Sequence, residues 1–320
     1  MKSDERGMRS RNCSITGGSG GCARWSTAAI PIDGRAEVVL KVGGGEMVTV
    51  ERSPSDGPST VLVSVVIPTR NAGPSLKECV DSVHAATTEP VEVIVVDSES
   101  TDGSLVGVEH RSRVIVADSS CTRARLIGAR AARGQYVLNL DADQRLLPGT
   151  LERALGCHAE IVGLGETCVG PGLVAMANRW HNDRVQSDWS GNIAPISGSV
   201  IPRFYRRSRL LDALNRIPPE ILDVRPSPYA EDSLVFWEAS RDRPTVAFVP
   251  NALLHLEVSS VLRYSRKWFR YGTTAKAYRG TPYSFLLSGR ARRRFREMAH
   301  PASLPAVLLR GPSFLLGYFL

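Results

Sequence analysis

The sequence of 320 residues lacks several features that would assign it to a specialised class of protein. It has no apolar run of about 18 residues or more, which argues against a clear membrane span. Its start has no apolar core of the signal-peptide type. Its six cysteines form no CxxC pair and no cluster with histidine at zinc-binding spacing. We therefore expect a cytoplasmic protein with reduced, mostly buried thiols.

The composition is that of an ordinary globular protein with a basic charge balance. Hydrophobic residues make up 42% and charged residues 22% of the chain, which is enough for a sizeable core. The formal net charge of +8 suits an anionic partner, such as a nucleic acid, a phosphorylated metabolite or an acidic membrane surface. No nucleic-acid-binding motif accompanies the basic residues, so we expect no nucleic-acid partner.

Three regions of the chain differ in composition. Residues 1–60 are rich in Ser, Gly and charge, and predict a flexible leader with a small hairpin around Gly43-Gly44-Gly45. Residues 61–258 alternate apolar runs with amphipathic segments and predict the main domain. Residues 259–320 predict a basic, aromatic helical region that lies against a membrane or packs in an oligomer. The oligomeric state does not follow from the sequence.

The main domain alternates predicted strands with predicted helices. The strands are predicted over Val61–Ile67, Val91–Val96, Val114–Ala117 and Tyr136–Leu140, and the helices between them over Leu76–His84 and Arg123–Ala132. This alternation predicts an α/β fold with a mostly parallel, Rossmann-type sheet and helices on both faces. Ligands bind such sheets at the carboxyl ends of the strands. Polar residues follow the strands there, at Thr69-Arg70-Asn71, Asp97 and Asp141-Ala142-Asp143.

The two aspartates of Asp141-Ala142-Asp143 directly follow the fourth predicted strand. Two carboxylates this close repel each other unless a cation or a hydrogen-bond donor lies between them. Mg²⁺ and Mn²⁺ accept oxygen ligands of this kind and commonly bridge protein carboxylates to substrate phosphates. An isolated Asp-x-Asp is more often a solvated turn, but its position after a buried strand favours a divalent metal site.

Three further features allow two interpretations each. Asp97 begins either a self-capping turn or a contact with a nucleoside base or ribose. Glu231 and Asp232 either complement the dipole of a predicted helix over Ser233–Ala239 or supply a catalytic carboxylate. His255, beside an apolar run, is either a structural histidine or a metal ligand.

Several motifs, taken in order, resemble the family 2 glycosyltransferases. The matching segments are Val63–Asn71, Val93–Ser104, Ala124-Arg125 with the block ending at Asp143, Pro148-Gly149, and Tyr229–Leu234. The resemblance covers roughly Val61 to Gly272. It implies a GT-A-like fold, an inverting single displacement and a UDP- or GDP-type sugar donor.

The resemblance also implies roles for residues on the donor side. Pro68, Thr69 and Asp97 fall where the family holds the nucleoside, and Asn71 lies beside them. Arg125 falls where the family contacts base, ribose or phosphate. The family often has Asn after this Ala-Arg pair, whereas Leu126 stands here, which weakens the Arg125 assignment.

The remaining implied roles concern the metal and the acceptor. Asp141 contacts the nucleotide and shares an Mn²⁺ or Mg²⁺ ion with Asp143, and His255 falls near the family's histidine ligand. Asp232 falls on the general base that deprotonates the acceptor hydroxyl. Glu231 is the neighbouring carboxylate, with an acceptor or positioning role.

The function predicted from these features is transfer of one sugar to a glycan or lipid-linked acceptor in cell-envelope synthesis. Single addition is favoured because the Gln-x-x-Arg-Trp motif of processive synthases is absent around Trp268. Basic residues at Arg266–Arg270 are placed to approach the donor diphosphate, and the Arg290–Arg296 cluster to contact anionic lipid on the cytoplasmic side. The alternatives are a sugar nucleotidyltransferase and a non-catalytic nucleotide-sugar or nucleic-acid-binding protein.

Overall fold

The computed structural model describes residues 61–187, 202–289 and 299–320. The predicted leader and hairpin of residues 1–60 and the predicted Arg290–Arg296 cluster lie outside the described residues. The strands are β1 Val63–Thr69, β2 Val91–Asp97, β3 Arg113–Val116, β4 Tyr136–Asn139, β5 Gln144–Leu146, β6 Ile161–Val169, β7 Pro202–Arg206 and β8 Val246–Leu256. The helices are α1 Pro74–Ala86, α2 Cys121–Ala131, α3 Thr150–Gly156, α4 Gly172–Ser187, α5 Arg207–Arg216, α6 Pro219–Leu222, α7 Glu231–Ala239, α8 Val261–Ala275 and α9 Leu304–Phe319, with a short helical stretch at residues 285–289.

The strands form one eight-stranded sheet in the order β3-β2-β1-β4-β7-β6-β8-β5. The strands β3, β2, β1 and β4 are parallel, as are β6 and β8, whereas β7 runs antiparallel to both of its neighbours and β5 antiparallel to β8. The predicted α/β fold is confirmed, and antiparallel pairs join its two parallel parts. Because β7 reverses direction between β4 and β6, the carboxyl ends of β1, β2, β4, β6 and β8 lie at one edge of the sheet.

Helices cover both faces of this sheet, as predicted. Along β1, Val65 and Ile67 pack on the face of α1 and α3, while Val66 packs on the face of α2, α5 and α7. This alternation follows from the two-residue period of a strand. The helix α2 lies very close to β1, because a Cβ on Gly128 would come within 2.3 Å of a Val66 methyl carbon.

The helices α8 and α9 pack against each other through backbone contact at two glycines. A Cβ on Gly272 would lie 2.1 Å from the carbonyl oxygen of Phe314, and one on Gly317 would lie 2.1 Å from that of Phe269. Trp268 of α8 fills the seam with Phe314 at a ring-centroid distance of 6.4 Å. None of the helices in the described part of the chain is long and apolar enough to cross a membrane.

Candidate functional site

The ends of β1 and β2 form one side of the sheet edge where the polar residues were expected. Thr69 and Asp97 are register partners, and both are buried. The carboxylate of Asp97 accepts hydrogen bonds from the backbone N–H of Ser100 at 2.9 Å and from its hydroxyl at 2.5 Å. The self-capping turn is therefore present. The buried Thr69 Oγ1 has no hydrogen-bond partner among the described residues, which leaves a polar atom available at this edge.

Two neighbouring residues also stabilise this edge. Asn71 adopts a left-handed backbone with φ 51°. Its amide oxygen accepts a hydrogen bond from the N–H of Thr101 at 2.8 Å, so the side chain joins the loops that follow β1 and β2. Pro68 lies inside β1 and is buried. Both residues shape the edge, and the Asn71 amide oxygen is already used within the protein.

Arg125 on α2 connects the end of β4 to the start of α7. Its guanidinium group is 3% exposed and lies 2.8 Å from Asp141 Oδ1, 3.3 Å from Asp232 Oδ1 and in direct contact with Glu231. The Thr122 hydroxyl, one turn earlier on α2, donates to the other oxygen of Glu231. The sequence places Arg125 as a nucleotide contact, whereas the structure shows it as a buried link between carboxylates.

A second buried guanidinium, that of Arg203 on β7, holds the other oxygen of Asp141. Its Nη1 donates to Asp141 Oδ2 at 3.0 Å, and its Nη2 lies 3.7 Å from Glu166 Oε2. Burial alone would raise the pKa of Asp141, but Arg203 and Arg125 outweigh it and hold that pKa well below its usual range. Burial raises the pKa of Glu231 despite its contact with Arg125. Both oxygens of Asp141 are thus engaged by cations of the protein.

Asp143, His255 and Glu166 come together where β8 lies between β6 and β5. His255 is the register partner of Gln144 on β5 and of Cys168 on β6. Its Nε2 lies 3.5 Å from Asp143 Oδ2, and its Nδ1 lies 3.6 Å from Glu166 Oε1. The Asp143 side chain is 49% exposed and that of His255 is 16% exposed. The sequence-predicted residues Asp143 and His255 are therefore neighbours, although 112 positions separate them in the chain.

The residues around His255 fit a divalent cation on the side of Asp143. A carboxylate oxygen and an imidazole nitrogen 3.5 Å apart can both ligate one cation at about 2.1 Å from each atom. Glu166, Cys168 and His255 also bring one ligand atom each within 4.8 Å of one another. The thiol is a soft ligand that suits zinc rather than Mg²⁺ or Mn²⁺. The arrangement therefore favours Asp143 and His255 as ligands, with Glu166 orienting the imidazole through Nδ1.

The charges around His255 couple its imidazole to both carboxylates. Burial would raise the pKa of Glu166, but His255 and Arg203 lower it to about 2. Burial would lower the pKa of His255, but Glu166 and Asp143 raise it well above its ordinary value. The cluster therefore favours an ionised carboxylate on the Nδ1 side of the imidazole ring.

The helix α8 brings one cation toward this cluster. Lys267 Nζ lies 3.8 Å from Glu257 Oε1, whereas Arg266 and Arg270 are exposed. Burial would lower the pKa of Lys267, but Tyr271, Glu257 and Asp143 raise it well above its ordinary range. Lys267, which belongs to the basic segment predicted to approach a diphosphate, is thus coupled electrostatically to Asp143.

Sequence reasoning missed Arg203, Glu166 and Gln144. Gln144 is buried, accepts a hydrogen bond from the N–H of Asp141 at 3.0 Å and donates to Glu166 at 3.2 Å. Its position directly after Asp143 was the available signal. Arg203 and Glu166 stand in segments with no motif, so only their place in the sheet reveals them.

Comparison with known proteins relates the chain to one enzyme family. Residues 64–160 match the family model described as glycosyl transferase family 2. The chain is 33% identical over 115 residues to the uncharacterized glycosyltransferase EpsJ of Bacillus subtilis, covering 32% of this chain and 33% of that protein. It is 31% identical over 99 residues to the glycosyltransferase GlyG of Streptococcus pneumoniae, covering 28% and 33%. The chain thus spans about a third of the length of these relatives.

Among solved structures, the chain is similar to residues 1–349 of S. aureus TarS. The TM-score is 0.50 at 17% sequence identity, and the match covers 81% of each chain. At this identity the likeness concerns the fold alone. The region matched by the family model runs from β1 to the segment after α3, so it includes Asp141 and Asp143 but not Asp232 or His255.

Proposed function

We propose that the chain, whose residues 64–160 match the family model described as glycosyl transferase family 2, transfers a sugar from a UDP- or GDP-type donor to an acceptor hydroxyl. The observation that carries the proposal is the meeting of Asp143 and His255, 3.5 Å apart, beside the Asp141–Arg125–Asp232 network. This combination offers metal ligands and a carboxylate base at the edge where such sheets bind ligands.

The donor nucleoside is assigned to the loops that follow β1 and β2. The unpaired Thr69 Oγ1 supports this, because a buried polar atom without a partner costs free energy that a ligand can recover. Pro68, Asn71 and Asp97 form the surrounding walls, held by their own backbone and loop contacts. Arg125 acts as a positioning residue, since three carboxylates already surround its buried guanidinium.

Mn²⁺ or Mg²⁺ is the proposed cofactor, with Asp143 and His255 as its ligands. When bound, the cation supplies positive charge against the diphosphate that leaves the sugar. Asp141 stays beside the nucleotide, fixed by Arg125 and Arg203, which set the position of the whole Asp-Ala-Asp turn. Lys267 adds a second positive charge on the side of α8.

Asp232 is the proposed general base. Its side chain is 27% exposed and contacts Arg125 at 3.3 Å, whereas Glu231 is buried and held by Arg125 and Thr122. An alcohol is a poor nucleophile at neutral pH, so a carboxylate that accepts its proton assists attack on the anomeric carbon. The new glycosidic bond forms as the bond to the diphosphate oxygen breaks, and this single displacement inverts the anomeric configuration. Glu231 positions Arg125 for this arrangement.

The proposal includes the partners of the reaction. The acceptor is a glycan or lipid-linked hydroxyl compound that receives one sugar, and the protein works at the cytoplasmic face of a membrane with which it makes peripheral contact. Exposed Arg263, Arg266 and Arg270 on α8 support this, since each basic residue near an anionic surface adds about 1 kcal/mol of attraction.

The test is release of nucleoside diphosphate from sugar nucleotides with Mn²⁺ present. Asp232→Asn and Asp143→Ala are each expected to lower the rate at least about 100-fold, because they remove the base and a metal ligand. Asp212→Asn, at an exposed position on α5, is the matched control and retains the wild-type rate. Retained turnover in both site variants would contradict the assignments. In a parallel assay with a nucleoside triphosphate and a sugar 1-phosphate, release of inorganic diphosphate would instead identify a nucleotidyltransferase.

A further inference from the structure

A groove of about 640 Å³ lies between the end of β6 and the first turns of α4. Cys168 lines its inner end, and the Cys168 thiol is within 4.8 Å of the ligand atoms of Glu166 and His255. The groove therefore opens at the same edge of the sheet as the proposed metal ligands. The donor nucleoside is assigned to the loops that follow β1 and β2. The groove beside β6 is therefore available to the acceptor.

The lining of the groove is apolar, with a basic rim. Leu173, Met176 and Trp180 project from successive turns of α4 and are 50%, 42% and 46% exposed. Among the described residues, no carboxylate lines the groove, and its charged residue is Arg179. The ion pair of Arg179 with Asp183, at 3.8 Å and exposed on both sides, is weak. These features suit a ligand with an apolar body and an anionic group, and they do not suit a bare sugar.

The helix α9 packs next to α4. The two helices are joined where His181 Nδ1 and Ser303 Oγ lie 3.1 Å apart. The exposed large hydrophobic residues of α9 recur at helical spacing and so form one face, which has no charged side chain: they are Leu304, Leu308, Leu315, Leu316 and Phe319. The charged residue of α9, Arg310, lies instead over the Trp268 ring at 5.3 Å.

The charges near this face favour an anionic lipid surface over a second copy of the chain. The neighbouring helix α8 exposes Arg263, Arg266 and Arg270, and from Val258 to Leu320 the sequence contains one acidic residue, Glu297. A second copy would bring arginines toward arginines, whereas anionic headgroups would neutralise them. An apolar helix face flanked by basic residues is the composition of helices that lie in the membrane interface.

We propose that an anionic bilayer lies against the exposed face of α9 and that the acceptor is a membrane lipid with a hydroxyl-bearing anionic head. Its apolar portion occupies the groove along α4, and its anionic group pairs with Arg179. The proposal rests on the function proposed above and names the acceptor class for that site. It also assigns α4 a specificity role, because the groove selects acceptors by their apolar part.

The groove is tested with dodecyl phosphate below its micelle concentration, measured by isothermal titration calorimetry. We expect binding that Met176→Glu weakens at least 10-fold, and no binding of inorganic phosphate at the same concentration. Val106→Glu is the matched control, since Val106 is 75% exposed and lies between β2 and β3, far from α4. This variant should bind dodecyl phosphate as wild type does. Equal weakening in both variants, or no effect of Met176→Glu, would overturn the groove assignment.

The bilayer contact is tested by flotation with phosphatidylglycerol vesicles. Wild type should float, and a Leu308→Glu/Leu315→Glu double variant should not, while its circular dichroism shows a folded protein. The bilayer contact would be rejected if wild type does not float. It would also be rejected if wild type sediments as a dimer and the double variant as a monomer, because the α9 face would then be a dimer interface.

Donor hydrolysis in water is measured in parallel. Hydrolysis without dodecyl phosphate binding rejects this inference alone, and binding without any hydrolysis or transfer rejects the proposed function.

Discussion

The buried guanidinium groups of Arg125 and Arg203 hold Asp141 from both sides. Each is less than 5% exposed, and together they contact both oxygens of this carboxylate. Buried ion pairs contribute little net stability, but removal of one partner leaves the other charge uncompensated. The two arginines therefore fix the geometry of the Asp-Ala-Asp turn.

Arg203→Met is expected to lower the free energy of unfolding by about 3 kcal/mol, because Asp141 and Glu166 would lose a buried cation. Urea denaturation followed by circular dichroism measures this change. Lys77→Met is the control: Lys77 pairs with Asp81 on the surface of α1, and loss of an exposed pair costs at most about 1 kcal/mol. Equal losses in the two variants would show that Arg203 is not the structural support inferred here.

At the scale of residues, the sequence predicts those members of the site that belong to motifs. Asp141 and Asp143 follow an apolar strand, and Asp232 stands in a Glu-Asp pair, so local pattern identifies them. Arg203 is one of 40 lysines and arginines and follows no motif. Its role arises because β7 enters the sheet antiparallel beside β4, a long-range pairing that no local pattern contains.

The helices α8 and α9 touch through Gly272 and Gly317, with no side chain between their backbones at these points. Gly317→Ala is expected to lower the free energy of unfolding by about 2 kcal/mol, because its methyl group would meet the Phe269 carbonyl at 2.1 Å. Gly311→Ala is the control on the same helix, since nothing lies within 4 Å of its Cβ position. That change should alter the free energy of unfolding by less than about 1 kcal/mol, because Pro312 disfavours a Cβ on the preceding helical residue and so offsets the gain in helix propensity. Similar effects of both changes in urea denaturation would contradict the close packing.

At the scale of elements, strand length decides what the sequence predicts. The strands β1 and β2 are seven residues long and mostly apolar, so the sequence predicts them to within a few positions. The strand β5 has three residues and β7 five, and neither gives a periodic signal long enough to detect. The strand β8 continues through Pro250 and Asn251, where φ is 49° at Asn251, and this irregularity divides it into two apparent runs in the sequence.

For the whole molecule, binding of donor and metal should appear as a gain in thermal stability. At about 100 times its Kd, a nucleoside diphosphate with Mn²⁺ should raise the unfolding midpoint by roughly 5 °C through mass action. Chelation should remove most of this shift. His255→Ala should lose the Mn²⁺-dependent part, whereas His110→Ala, at an exposed position, should retain it. An unchanged Mn²⁺-dependent shift in His255→Ala would reject this histidine as a ligand.

The strand order also has a consequence for synthesis of the chain on the ribosome. The first four strands need no residue beyond 139 to pair with one another, whereas Asp141 meets Arg203 only after β7 has inserted, and Asp143 meets His255 only after β8 has done so. Contacts between residues this distant in sequence form late, since long loops must close first. We therefore expect the pairing of β1 to β4 to precede the meeting of Asp143 with His255, and chains released before about residue 256 lack the second contact.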